Sequence, residues 1–419
     1  MALFNVKDGH AVMNLLVKQA TGQQTITVFD SSTFVSAGEL VLDTGMENVF
    51  NSLNIVLGRL IVASRPYKAK LTLMDAENSG VFTNRLRKVS FYSKDALPSG
   101  YFNTDLFINL ADGFTSGQNP DALGNAQSTK SQWEQNQQPS LEMNFGVSTT
   151  WQNCITEYEE QVKVAFRDEN EWARFLGGYL TEHANDIESQ REAWNRMLLL
   201  NKIGAIYDMQ SVMPGSVVNL TAAYNAKFGT SYTSAQLRTT YLADFLAFFV
   251  AEFKLASKRL TERSAAYHWT PAHPDGLKIL RHTPYDRQRA YLYAPLFTEA
   301  ESLVLPQIFN PQYLNIDTQY EEIGYWQSNY SDAVRPQVNV TPAVTNTTTG
   351  VQEAGSAVAL EYVVGLLTDV DALMSDMQLE RAHTTHIEAR KGYRNTWLTF
   401  EKGGICDQTE NSILFIMAD

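Results

Sequence analysis

Hydrophobic positions along the chain recur with two periods, and the period changes three times. Residues 1–60 carry one apolar patch on a polar background and read as a loosely organised arm. Within it "QQTITVFD" (23–30) has the composition of a short strand. "GMENVFNSLNIVLGRLIV" (45–62) places Val49, Leu53 and Val56 at helical spacing. The pattern then turns to alternation. Ala69, Leu71 and Leu73 alternate with Lys70 and Thr72 in "ASRPYKAKLTLM" (63–74), which predicts a strand. "RLRKVSFYSK" (85–94) is its expected partner across a turn containing Asn78, Ser79 and Gly80. In "ITEYEEQVKVAF" (155–166) Val162, Val164 and Phe166 alternate with Gln161, Lys163 and Ala165, again a strand pattern.

Helical periodicity dominates the middle. Asp168 is a good N-cap, and Glu171 three residues later completes a capping-box pattern. Trp172, Leu176, Tyr179, His183, Ile187, Trp194 and Leu198 then fall at steps of three, four or seven, one apolar stripe of a long helix. Gly177 and Gly178 leave two solutions open, one continuous helix or two in series. A second long helix is expected from Ser234, with Leu237, Tyr241, Phe245, Phe249 and Phe253 on its buried face. Beyond residue 266 the elements shorten. Strands are expected in "RAYLYA" (289–294), "IDTQYEEIGYW" (316–326), "ALEYVVGLL" (359–367), "YRNTWLTFE" (393–401) and "NSILFIM" (411–417). Helices are expected in "TEAESLVLPQIF" (298–309), interrupted at Pro306, and in "TDVDALMSDMQ" (368–378). The sum is an α+β chain without internal repeats.

Two stretches fit neither period. Residues 115–140, "TSGQNPDALGNAQSTKSQWEQNQQPS", offer Trp133 as their main apolar anchor. Residues 328–358 are rich in Thr, Asn and Val. Fixing a backbone residue costs roughly 1–2 kcal/mol, so a segment like 115–140 needs contacts from outside itself to become ordered.

Composition narrows the function. Among 419 residues, 33 Lys and Arg stand against 46 Asp and Glu, a net charge of −13 with no basic cluster. Grip on nucleic acid comes mainly from cations that neutralise phosphates, so a dedicated DNA binder is disfavoured. Two cysteines, Cys154 and Cys406, imply neither a disulfide framework nor a cysteine-based zinc site. No signal peptide is expected from "MALFNVKDGH", and "YLADFLAFFVAEFKLA" (241–256) is broken by Asp244, Glu252 and Lys254. The expectation is a soluble protein made in a reducing compartment.

Candidate chemistry is sparse. Asp369 and Asp371 follow an apolar strand at i and i+2, as in the first motif of haloacid-dehalogenase-type phosphohydrolases. There one carboxylate attacks phosphorus, the other moves protons, and a magnesium ion assists. Only about 48 residues follow, short of the sheet such chemistry needs. The competing expectation is that Asp369 or Thr368 caps a short helix. His383 and His386 would share one helical face with Glu388 nearby, the start of a zinc site without a spaced further ligand. His268 and His273 lie among prolines and glycine and read as loop residues. No phosphate-binding glycine loop or nucleophile elbow is present.

Taken in order, "VFNSLNIVLGRLIVASRPYKAKL", "MNFGVSTTWQNCITEYEEQVKVAFRDENEWARFL", "RAYLYAPLFTEAESLVLPQIFNPQYLNI" and "VVGLLTDVDALM", followed by "YRNTWLTFE" and "SILFIM", resemble a known family. It is the major capsid protein of tailed double-stranded-DNA bacteriophages, the Hong Kong 97-type fold, above all as found in small podoviruses and crAss-like gut phages. The resemblance implies an N-terminal arm (1–60), an extended loop with a polar insertion (61–166) and a peripheral domain with a spine helix (167–265). A mixed axial domain (266–379) and closing strands of the peripheral domain (380–419) would follow. The stretch 328–358 has no counterpart in that pattern. It further implies a virion subunit, assembled in host cytoplasm into pentamers and hexamers of an icosahedral shell. Its partners would be the portal and scaffolding or decoration proteins, with packaged DNA held only loosely. No catalytic, cofactor or metal residue is implied. Another virion or tail structural protein, and a magnesium-dependent phosphohydrolase using Asp369 and Asp371, are the alternatives.

Overall fold

The computed structural model describes residues 6–23, 26–45, 48–49, 52, 69–75, 85–93, 138–146, 149–166, 169–273, 276–296, 298, 320–346, 350–388 and 390–419. It is an α+β structure organised by one five-stranded sheet, one three-stranded sheet and a 40-residue helix that packs on both.

The five-stranded sheet runs β4 (Val217–Asn219), β14 (Ser412–Ile416), β11 (Val363–Asp369), β5 (Gln288–Tyr293), β6 (Tyr320–Ile323). The outer pairs are parallel and the two inner pairs, on either side of β11, antiparallel. Every residue of β11 and β14 is buried, which is why both read as unbroken apolar runs rather than alternations. A Cβ at Gly365 would sit 3.0 Å from the Tyr291 carbonyl oxygen, so the close approach of β5 to β11 needs glycine there. The helices α5 (Leu220–Phe228), α6 (Ser234–Thr239) and α7 (Leu242–Thr261) complete this half of the molecule. Phe249 and Phe253 of α7 both meet Phe415 of β14, with ring centroids 5.7 and 5.4 Å apart.

The three-stranded sheet is β12 (Leu373–Thr384), β13 (Tyr393–Cys406) and β3 (Thr149–Tyr158), all antiparallel. From β3 the chain enters α3 (Glu159–Ala165) and then α4 (Glu169–Asp208). Gly404 lets α4 approach β13. An added Cβ would lie 2.6 Å from Leu198, and the Trp194 indole N–H donates to the Gly403 carbonyl at 3.3 Å. The N-terminal helices α1 (Val6–Thr21) and α2 (Ser31–Asp43) bury Val12, Met13, Leu16, Val17, Phe34, Ala37 and Val41 with Phe166 as a separate small core.

Several expectations are corrected. The described part of 1–60 is mainly the two helices α1 and α2, and 26–30 of "QQTITVFD" forms no strand; Leu53 and Val56 lie outside the described residues. Val28 instead places its N–H and C=O on the Asn14 amide at 2.7 and 3.2 Å, a side chain standing in for a strand partner. Residues 69–75 form no strand: the segment turns at 73–74, with the Asp75 N–H on Thr72 O at 3.0 Å, and its ladder contact is a single bridge from Asp75 to Ser375. Their amides go to carboxylates of Glu188 (to Ala69, 2.9 Å) and Glu321 (to Thr72, 3.0 Å). Strand β1 (Arg85–Phe91) therefore pairs with β2 (Ser140–Gly146) and not with 69–73; Asn78, Ser79 and Gly80 lie outside the described residues. The strand expected through Phe166 ends at Tyr158. Glu159 and Glu160 open α3, where a helix N-terminus favours acidic residues, and the Glu159 N–H is taken by Gly392 O at 2.9 Å.

The long helix is a single element. Of its predicted stripe, Leu198 is buried in the core, Trp194 packs partly buried against it and Ile187 is half-buried; Asp168 lies outside the described residues. The second long helix is two, because a capping box between Thr233 and Gln236 starts α6, and Tyr241, stacked on Tyr232 at 4.1 Å, separates it from α7. Residues 368–378 are not a helix. Only Val370–Ala372 make a 3-10 turn before β12 begins. The polar stretch 328–358 holds β7 (Val338–Val340), β8 (Ala343–Thr345), β9 (Gln352–Ala354) and the start of β10 (Val358–Leu360), docked on α4. Asn201 accepts the Ala343 N–H at 2.7 Å, and Gly204 leaves room for Val340 and Pro342. Residues 115–137 and 299–309, which hold most of the first polar stretch and of the helix expected at Pro306, lie outside the described residues.

Candidate assembly surfaces and the Asp369–Asp371 turn

Register decides what the three-stranded sheet shows to solvent. Arg394 opposes Glu157, Thr396 opposes Ile155 and Leu398 opposes Asn153 on the inner face. Arg394 Nε donates to Glu157 Oε2 at 2.8 Å, with both side chains 1% exposed. The outer face alternates with it. Tyr393 opposes Tyr158, Asn395 opposes Thr156 with a 2.8 Å hydrogen bond between their side chains, and Trp397 opposes Cys154. Tyr158, Trp397 and Cys154 are exposed. The β1–β2 hairpin adds a second surface, since Val89 and Phe91 on β1 are also exposed. These aromatic and branched side chains stand on regular, well-paired strands, a rigid platform for contact with another macromolecule.

The aspartate pair has a structural post. Asp369 caps the 3-10 turn, its carboxylate accepting the Asp371 N–H at 3.0 Å and the Thr283 hydroxyl at 2.8 Å. Arg287 donates to Asp371. The capping role expected for Asp369 is therefore what the geometry provides. Beside the turn lies an open cleft of about 540 Å³ lined by Arg263, Arg281, His282 and Arg287 as well as Asp369, Asp371 and Glu410. Two of its guanidiniums are committed to neighbouring carboxylates, Arg281 to Glu410 at 3.3 Å and Arg287 to Asp371. Among the described residues no group of three His, Cys, Asp or Glu side chains is placed to hold a metal ion.

The histidines are dispersed. His383 is on strand β12, not a helix, and His386 lies past its end, so they do not share a helical face. Glu388 serves the following turn, accepting the Lys391 N–H at 2.7 Å. His268 is buried, its ring nitrogens 3.0 Å from Asn411 Oδ1 and 2.9 Å from Ile279 O; burial holds its pKa below the ordinary value despite those bonds. His273 instead packs its ring 4.9 Å from that of Tyr92. Cys406 is half-buried, its sulfur 3.3 Å from the Asn201 amide nitrogen, and desolvation pushes its thiol pKa up.

One cluster was not foreseen. Lys88 of β1 reaches Asp407 and Glu410 in the turn between β13 and β14, while Lys202 of α4 donates to the Asp407 carbonyl. Burial would raise the Asp407 pKa, but Lys88 and the Thr409 N–H hold it below the usual range. For Glu410 burial prevails and the pKa is raised. The acidic "DQTEN" turn was visible in the chain; its partner, more than 300 residues away, was not.

No protein-family model matches the chain, and no curated protein matches it. Solved structures do, at low identity. The capsid structure of Staphylococcus phage Andhra is similar with a TM-score of 0.48 and 12% identity over 83% of each chain. A structure of the head fiber and inner core protein gp22 of native bacteriophage P68 gives 0.46 and 10%, over 82% of this chain and 83% of that one. The mature capsid of bacteriophage PhiM1 gives 0.39 and 8%, over 84% and 88%. At these scores the likeness is one of general trace, and what the chain does is argued from its own residues. Among the described residues no helix is long and apolar enough to cross a membrane.

Proposed function

We propose that the chain is a major capsid protein, the structural subunit that self-assembles into the icosahedral head of a tailed double-stranded-DNA bacteriophage. One observation carries the proposal. A 40-residue helix ties a central sheet with two fully buried strands to a long outer sheet whose outer face displays Tyr158 and Trp397, while a separate strand pair displays Val89 and Phe91. Surfaces of this kind, built on rigid strands and set apart on one chain, suit contacts between copies that differ from partner to partner around a closed shell. In this proposal residues 1–60 are the arm, 61–166 the extended loop, 167–265 and 380–419 the peripheral domain, and 266–379 the axial domain. Copies of the chain form pentamers and hexamers, with portal and scaffolding or decoration proteins as further partners. The net charge of −13 suits a wall that does not hold its packaged DNA tightly.

The test is electron microscopy of the purified chain, alone and with Phe91→Ser plus Trp397→Ser. Closed shells from the parent, and free subunits from the variant, are expected. Tubes or rings would favour another virion or tail protein. A magnesium-dependent phosphatase activity abolished by Asp369→Asn with Asp371→Asn would overturn the proposal in favour of the enzyme; with the cap and the Arg287 pair as they stand, neither substitution is expected to change any phosphatase signal.

A further inference from the structure

Strand β1 is built inside out. Its side chains turned toward the body are Lys88 and Ser90, continued past its end by Tyr92; Ser90 and Tyr92 are 4% and 5% exposed. Those turned outward are Val89 and Phe91, 47% and 58% exposed. An amphipathic strand on a core normally does the reverse, and a slip of one residue would exchange the two faces completely. Hydrophobic burial alone favours that slip, so something specific opposes it.

The opposing element is polar and buried. The Lys88 ammonium meets the Asp407 and Glu410 carboxylates and lies 3.1 Å from the Thr409 hydroxyl oxygen. Its socket is preformed. Asp407 Oδ1 already accepts the Thr409 N–H and hydroxyl, each at 2.8 Å, and the Lys202 ammonium holds the Asp407 backbone carbonyl. Arg281 lies 3.3 Å from Glu410 and donates to Ser90 Oγ at 2.6 Å, so the second inward residue of β1 is held by the same group of charges. Ser93 N–H donates to Lys278 O at 2.9 Å and extends the contact. Neither Val89 nor Phe91 could satisfy two carboxylates in that position, and a bare pair of buried carboxylates is strongly unfavourable.

We propose that Lys88 is the key of a latch that docks the β1–β2 hairpin on the turn between β13 and β14 and sets which of its faces looks outward. The socket sits where the three-stranded sheet hands the chain to the five-stranded one, so the hairpin is referenced to both sheets at once. Lys88 is thus a positioning residue. Its effect is to present Val89 and Phe91, whatever they meet, and the latch stands or falls independently of the shell proposal.

Hydrogen–deuterium exchange on the isolated subunit tests it. Lys88→Met should raise exchange of the β1 and β2 amides at least tenfold while β11 and β14 stay within twofold of the parent, and Lys88→Arg should restore most of the protection. If Lys88→Met does not accumulate folded, Lys88→Met with Glu410→Gln removes one buried carboxylate charge together with the lysine and leaves Asp407 its Thr409 and Lys202 contacts; the same criteria apply. Hairpin protection equal to the parent's would overturn the latch. So would a rise shared by β1, β2, β11 and β14, which would make Lys88 a general stability residue. A hairpin released in the variant, with no shells from the parent, would leave the latch standing and remove the capsid proposal.

Discussion

Arg394→Met should be among the most damaging single changes on the outer sheet, and the reason can be worked from the register. Arg394 and Glu157 are paired across β13 and β3, each 1% exposed, with Nε and Oε2 2.8 Å apart. At that distance and an effective dielectric constant of about 20, their attraction is about 6 kcal/mol. Removing both ions from water costs several kcal/mol each, so the intact pair contributes little net stability over a well-packed apolar pair. The loss on breaking it is another matter. With Arg394 gone, Glu157 stays desolvated without its guanidinium, and a cost of about 3–5 kcal/mol is expected. Glu157→Leu combined with Arg394→Met removes both charges and should recover most of that loss, giving a coupling of about 3 kcal/mol or more in the double-mutant cycle. Urea denaturation of the dilute subunit, followed by tryptophan fluorescence, measures all four corners; Trp151 and Trp397 lie on the same sheet. A single substitution costing under about 1 kcal/mol, or a double costing the sum of the singles, would refute the reasoning.

Asn195→Ala should free the segment 69–75. Asn195 is fully buried and its amide donates to Leu71 O at 2.6 Å and Asp75 Oδ1 at 2.8 Å, so about 1–3 kcal/mol is expected from the orphaned acceptors, read as faster amide exchange at Leu71–Asp75. Acid should weaken the fold through His268. Burial lowers its pKa below the ordinary histidine value of about 6.5, so the unfolded chain takes up the proton first. Its contribution is therefore complete above pH 6.5 and is lost as pH falls toward the depressed folded value, with a slope of up to about 1.4 kcal/mol per pH unit. Melting curves between pH 7 and pH 5 check this, and His268→Gln should flatten that part of the profile; an unchanged slope would assign the acid sensitivity to other groups.

Periodicity determined a good deal of this protein by itself. The long helical stretch (though not that it is one helix rather than two), the buried face of Phe245, Phe249 and Phe253, and the strands at 289–293, 363–367, 393–401 and 412–416 were legible, the helices from a sustained apolar stripe and the strands from alternation or an unbroken apolar run. So was Asp369 as a cap, since that role depends on neighbours two residues away. Pairing and side-chain partnership were not legible. Residues 69–73 alternate like a strand, yet carboxylates of Glu188 and Glu321, more than 110 residues distant, take their amides. Residues 159–165 alternate too, but Gly392 O and the acidic first turn start a helix there. The inverted face of β1 contradicts its own pattern, because Lys88 meets a socket made 319 and 322 residues later in the chain. Local spacing records how a segment divides its own surface between core and water. It carries no record of which distant charge or carbonyl will satisfy a buried polar group, and only the tertiary structure, by bringing Asp407 and Glu410 to Lys88, decides that.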